Sequence, residues 1–141
     1  MDIVASYKPG QTSTTMAGQS RILIVDDNNV IREVLRGLIR HDPRLAVVGE
    51  AGNGETAIEL VAQLKPHLVC LDVLMPGMDG LEALKSIREA HPEVRVILIT
   101  GQATSDVVSE ALKLGANGFV VKPFSADKVL KAIHTALGNA T

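Results

Sequence analysis

The chain has 141 residues, of which 46% are hydrophobic and 21% charged, a composition that suits one soluble globular domain with a substantial core. A net charge of -2 gives no general attraction to nucleic acid or to an anionic membrane, and aromatics at 2% leave no stacking platform for single strands. No apolar run is long enough to span a bilayer, and a single cysteine, Cys70, excludes an intramolecular disulfide and fits a reducing cytoplasm.

Residues 1–19 differ from the rest. Ser, Thr, Gly, Gln and Pro dominate, with neither a basic start nor an apolar signal core, so a flexible polar tail is expected. Met16 directly precedes Ala17, near where the first strand begins, and translation starting there is one reading of the tail; the mass of the native terminal peptide tests it. The body of the chain then covers 20–138, with 139–141 as a short end.

The first apolar run, Ile22 to Val25, stops at Asp26 and Asp27, and Asn28-Asn29 can cap a helix. Ile31, Val34, Leu35, Leu38 and Ile39 recur at helical spacing and predict one inward face, ended by Asp42-Pro43. Leu45 to Val48 reads as the next strand, and Gly49 to Gly54 as the way out of it. Ala57, Ile58, Val61 and Leu64 mark a second helix stopped by Pro66. Leu68 to Leu71 is a third strand, apolar throughout as in a sheet buried on both faces, and it ends on Asp72. Asp79 can cap a third helix carrying Leu81, Leu84 and Ile87. Val94 to Ile99 is a fourth strand ending on Thr100-Gly101. A fourth helix carries Val107, Val108, Ala111 and Leu112, closed by Gly115. Gly118 to Val121 runs into Lys122-Pro123-Phe124, and Ser125 can cap a fifth helix with Val129, Leu130, Ile133 and Leu137 inward. Strand and helix alternate throughout, which predicts an α/β fold: a doubly wound, five-stranded parallel sheet with helices on both faces.

In such a sheet the carboxyl ends of the strands share one edge, where chemistry collects. That edge would bring together Asp26, Asp27, Asp72, Thr100 and Lys122. Clustered carboxylates repel, and a hard divalent cation offsets the repulsion; Mg2+ suits oxygen ligands and keeps several waters. A carboxylate can attack phosphorus, and Mg2+, Lys122 and the Thr100 hydroxyl with the Gly101 N–H would each take one phosphoryl oxygen. No strong base stands ready to activate water, which favours a covalent acceptor over a general hydrolase.

Taken together these motifs resemble the receiver domain of two-component response regulators, over residues 21 to about 138. The matching residues are Ile24-Val25-Asp26-Asp27-Asn28, Asp72 with Met75-Pro76-Gly77-Met78-Asp79-Gly80, Thr100-Gly101, Gly115 to Phe119, and Lys122-Pro123-Phe124. The resemblance implies a (βα)5 flavodoxin-like sheet in the order 2-1-3-4-5. It implies Asp72 as phosphoacceptor. Mg2+ would be held by Asp27, Asp72 and the Leu74 backbone carbonyl, with Asp26 mainly through water. Lys122, joined to Pro123 by a cis bond, would hold the phosphoryl group. Thr100 and Phe119 would form a switch pair that alters the face made by the fourth helix, fifth strand and fifth helix. The implied partners are a sensor histidine kinase or histidine phosphotransfer protein and a downstream target protein. Direct nucleic-acid binding and membrane insertion are not implied, and the chain would be a monomer or a phosphorylation-dependent dimer in the cytoplasm. With only Gly138 to Thr141 after the last helix, signalling by protein contact or as a phosphorelay intermediate is expected.

Two departures matter. The switch ring is Phe119, where many relatives carry Tyr, so it has no hydroxyl to bond a partner. Leu74 and Gln102 stand two places after Asp72 and Thr100; Leu74 cannot orient an attacking water, so the phosphoryl group should not be among the shortest-lived. Blander readings stand beside these. Asp26 and Asp27 would suit helix caps, Thr100 a strand end, Lys122 a solvated charge and Phe119 a core ring; together at one edge they weigh toward a site. His41, His67, His91 and His134 lack metal-ligand spacing, and the glycines form no nucleotide fingerprint. An aspartyl phosphohydrolase of the haloacid-dehalogenase type would want Asp-x-Asp and a cap insertion, and neither is present; a pseudo-receiver would not need an intact site.

Overall fold

Short polar side chains start each helix of this protein, and apolar runs of strand length separate them. In the computed structural model, which describes residues 17–139, the strands are β1 (Ser20–Val25), β2 (Leu45–Ala51), β3 (Leu68–Leu71), β4 (Arg95–Thr100) and β5 (Gly118–Val121). The helices between and after them are α1 (Asn29–Arg40), α2 (Gly54–Leu64), α3 (Gly80–Ala90), α4 (Ser105–Lys113) and α5 (Ala126–Leu137). The expected tail over 1–16, with the Met16 start, and residues 140–141 lie outside the described residues. Asn28, Asn53, Asp79, Thr104 and Ser125 each accept a backbone N–H from the first turn of the helix they open. Asp79 does more: with Glu82 it makes a reciprocal capping box, so its role as a cap is as expected. Gly115 closes α4 at a φ of +97°, the left-handed conformation that a side chain would strain.

All strand pairs are parallel, in the order β2-β1-β3-β4-β5 that the resemblance implied. Leu23, Val25, Val69, Leu71, Val96 and Leu98 face the side covered by α2, α3 and α4. Ile22, Ile24, Leu68, Cys70, Ile97 and Ile99 face α1 and α5. Both faces are covered, so the strands need no polar alternation, and each fully buried aliphatic side chain contributes about 1.5–3 kcal/mol. Burial pushes the Cys70 thiol up to about 12, so it packs as a small hydrophobe and is no nucleophile.

Three local expectations are corrected. β2 runs on through Gly49 and Glu50 to Ala51, where the glycine had suggested an exit. A Cβ at Gly49 would lie 2.8 Å from Leu64 Cδ1, so the glycine admits a closely packed α2 and does not break the strand. Val34 is 48% exposed and Leu112 is 62% exposed, although helical spacing had placed both inward. Each directly adjoins a buried residue in sequence and so is turned about 100° round the helix from it; Leu35, Ile39 and Ala111 take the buried positions.

α5 is tied down at its far end by a polar network that spacing alone did not reveal. His134, 2% exposed, joins its Nε2 to Asp42 Oδ2 at 2.7 Å, and its Nδ1 lies 3.0 Å from Asn139 Nδ2. Arg44 adds its Nε and Nη2 to the two Asp42 oxygens, both at 3.1 Å. Burial alone would raise the Asp42 pKa, but the hydrogen bonds from Arg44 and His134 outweigh it and hold the carboxyl far below the usual range. A depressed carboxyl contributes stability above its unfolded pKa and loses it as pH falls. Asp42→Asn should therefore cost about 3 kcal/mol at neutral pH. Urea unfolding at a series of pH values should show the gap to wild type narrowing as pH drops below 3.8, the unperturbed value.

Candidate functional site

The order β2-β1-β3 means that chains leaving β1 and β3 turn to opposite faces, opening a crevice between their carboxyl ends. Residues just past the strands stay in the ladder. Asp26 N–H donates to Ala51 O at 3.1 Å, Asp72 N–H to Val25 O at 3.0 Å, and Lys122 N–H to Thr100 O at 2.9 Å. Sheet hydrogen bonds, not loop conformation, thus fix the three backbones that carry the ionisable groups.

Lys122 reaches into the crevice and bridges two carboxylates. Its Nζ lies 2.7 Å from Asp26 Oδ2 and 3.2 Å from Asp72 Oδ2. Asp26 is 2% exposed and Asp72 5%, while Asp27 is open to solvent. One side-chain oxygen from each of Asp26, Asp27 and Asp72 lies within 4.8 Å of the other two. Burial raises the Asp26 pKa, against the opposing hydrogen bond from Lys122. Burial works against the Lys122 charge, but its bonds to Asp26 and its proximity to Asp72 prevail and raise its pKa, so it stays an ammonium.

The two buried carboxylates are held differently. Asp26 uses Oδ2 for Lys122 and accepts the Asn28 N–H on Oδ1 at 2.9 Å. Asp72 has longer contacts, 3.2 Å to Lys122 and 3.4 Å to the Leu74 N–H, the second near the limit of a hydrogen bond. Asp72 is therefore the more loosely held of the two, and it lines the cleft. Thr100 is fully buried, and its Oγ1 accepts the Gln102 N–H at 3.1 Å. The β4–β5 register pairs Leu98 with Phe119 and Thr100 with Val121, so Thr100 and Phe119 share one face of the sheet two residues apart. Phe119 packs partly buried against the α2–α4 side.

Asp26, Asp27, Asp72, Leu74, Thr100, Gly101 and Lys122 line a single cleft of about 920 Å³. The structure thus brings together the site residues expected from sequence, with Phe119 behind Thr100. The Lys122-Pro123 bond is cis. Sequence reading passed over Arg32, whose Nη1 donates to the Asp26 carbonyl at 2.5 Å. Its partner in β2, Glu50, lies 18 residues away, so no local spacing marked the pair.

A parallel α/β sheet with an acidic, cation-suited pocket and one lysine at its switch point defines the class. Within it, the chain belongs to the response regulator receiver domain family, whose model matches residues 22–134. The chain is 41% identical over 116 residues to the chemotaxis protein CheY of Listeria monocytogenes, covering 82% of this chain and 97% of that one. It is 42% identical over 115 residues to the nitrate/nitrite response regulator protein NarL of Escherichia coli, covering 82% of this chain and 53% of that protein. Among solved structures, the response regulator domain of Thermotoga maritima CheB superposes with a TM-score of 0.81 at 34% identity, over 87% of this chain and 99% of that one. A CheX–CheY complex with BeF3 and Mg2+ from Borrelia burgdorferi gives 0.79 at 30% identity, over 82% and 87%. Among the described residues no helix is long and apolar enough to cross a membrane.

The loop after β3 depends on one glycine. Gly80 N–H donates to Val73 O at 2.7 Å, and a Cβ there would lie 2.6 Å from Val73 Cα and 2.8 Å from the Asp72 carbonyl carbon. Backbone this close cannot yield without moving Asp72. Gly80→Ala should destabilise by about 1–3 kcal/mol in urea unfolding. Gly101→Ala, whose Cβ would meet nothing within 4 Å, should be near neutral by the same measurement.

Proposed function

We propose that the chain accepts a phosphoryl group on Asp72 from a phosphohistidine donor and signals through a change at α4, β5 and α5. The observation that carries this reading is the bridge from Lys122 to Asp26 and Asp72, with Asp72 the more loosely held of the two carboxylates.

The donor set fits a hard cation: three carboxylates converge and, among the described residues, no softer ligand joins them. Asp27 and Asp72 with the Leu74 backbone carbonyl would hold Mg2+, and Asp26 would act mainly through water. When bound, Mg2+ neutralises the cluster and offsets charge on the phosphoryl oxygens. An Asp72 oxygen attacks phosphorus, the bond from phosphorus to the donor nitrogen breaks, and the imidazole leaves with its electron pair. The Lys122 ammonium, already charged, moves from Asp72 to a phosphoryl oxygen. The Thr100 hydroxyl, whose oxygen accepts from Gln102 N–H while its hydrogen remains to donate, takes another oxygen together with the Gly101 N–H. Turning Thr100 toward the phosphate opens space on the face it shares with Phe119, and the ring moves in. Phosphorylation thus weights two packings of one fold. Leu112 on α4 and Val121 on β5 expose apolar surface on the face that would meet a target protein or a second copy. A sensor histidine kinase or histidine phosphotransfer protein in the cytoplasm is the proposed donor.

Acetyl phosphate and Mg2+ test this directly, with acetate as the leaving group. Wild type should take up one phosphoryl group per chain as an acyl phosphate, and Asp72→Asn should take up none. After removal of the donor the label should persist beyond seconds, because Leu74 at the cleft mouth cannot orient water. Turnover on phosphate esters would instead support a hydrolase, and an unlabelled wild type would support a binding-only domain.

A further inference from the structure

Arg32 stands in the first turns of α1 and folds back over the link from β1. Its Nη1 donates to the Asp26 carbonyl oxygen at 2.5 Å, and its Nη2 donates to Asn29 Oδ1. Its Nε donates to Glu50 Oε1 at 3.3 Å, and the second Glu50 oxygen accepts from Arg36 Nη1. Glu50 lies in the β2 segment registered against β1, opposite Ile24. Gly52 leaves room for the guanidinium, since a Cβ there would come within 3.4 Å of Arg32 Nη1.

None of these bonds goes to a carboxylate of the acidic cluster. The side-chain oxygens of Asp26 are taken by Lys122 and by the Asn28 N–H. Arg32 instead grips the carbonyl of the peptide unit that joins Asp26 to Asp27. That unit is planar, so fixing its oxygen fixes the direction in which the chain enters Asp27. Asp27 is the exposed member of the cluster, so the direction of its backbone bears on where its carboxylate lies. We infer that Arg32, braced by Glu50, is a positioning residue that presets Asp27 for a divalent cation.

The inference rests on the cation site proposed above, and the test separates the two. Mg2+ binding to the full chain is measured by calorimetry for wild type, Arg32→Gln, Arg32→Lys, Glu50→Gln and Arg40→Gln. Arg40 is exposed on the same helix and controls for loss of charge alone. Arg32→Gln should weaken Mg2+ about ten- to a hundredfold, as is usual for groups that orient metal ligands. Arg32→Lys keeps the charge but loses the planar fork, and should not restore affinity. Glu50→Gln should weaken binding less, and Arg40→Gln should match wild type. Urea unfolding in chelator confirms that each variant is folded, and Glu50→Gln carries the test if Arg32→Gln is not. Wild-type affinity in Arg32→Gln, full rescue by Arg32→Lys, or an equal loss in Arg40→Gln would overturn the inference. A wild-type chain that takes up no Mg2+ would overturn the cation site and this inference with it.

Discussion

One ammonium group balances the carboxyl edge of this sheet. Lys122 sits between Asp26 and Asp72, so a residue just past β5 neutralises residues just past β1 and β3. Without it two nearly buried carboxylates would face each other across the crevice with only backbone N–H groups for company. Desolvated like charges are costly, and such a pair would draw protons and lose its negative charge. With Asp27 beside them, three carboxylates still face one ammonium, a residual conflict held in place by sheet hydrogen bonds on the backbones of Asp26, Asp72 and Lys122.

That conflict explains the division of labour among the acids. Asp26 is the tightly bonded partner of Lys122 and the Asn28 N–H, and it anchors the cluster. Asp72 is loosely bonded and faces the cleft. Asp27 is solvent-exposed. The opposite end of the molecule contrasts with this. There Asp42, His134, Arg44 and Asn139 form a satisfied network that fastens α5 to the loop before β2. Polar burial is fully bonded at one end and left with an excess of negative charge at the other.

Much of this was legible beforehand because it depends on local rules. Apolar runs of strand length, caps such as Asn28 and Ser125, and the left-handed Gly115 are decided within a few residues. Local rules failed where a distant element took over. Gly49 looked like a break, yet it lies within β2 because Leu64 of α2 packs where its side chain would be. Val34 and Leu112 fit an inward stripe, yet their neighbours Leu35 and Ala111 take the buried positions and leave them exposed. His134 carried no motif at all, and it became a buried hydrogen-bonding centre only by meeting Asp42.

The sequence by itself determined the class of fold, the edge on which the acids gather and the family the chain resembles, because hydrophobic period and strand-end residues are properties of short segments. Only the tertiary structure decided which carboxylate is firmly held and which is not, that Lys122 lies between two of them, and that Arg32 reaches the Asp26 carbonyl. Those outcomes join groups 96, 50 and 6 residues apart, at 2.7, 3.2 and 2.5 Å. At that range a shift of one ångström separates a bond from none, and no pattern along the chain encodes it.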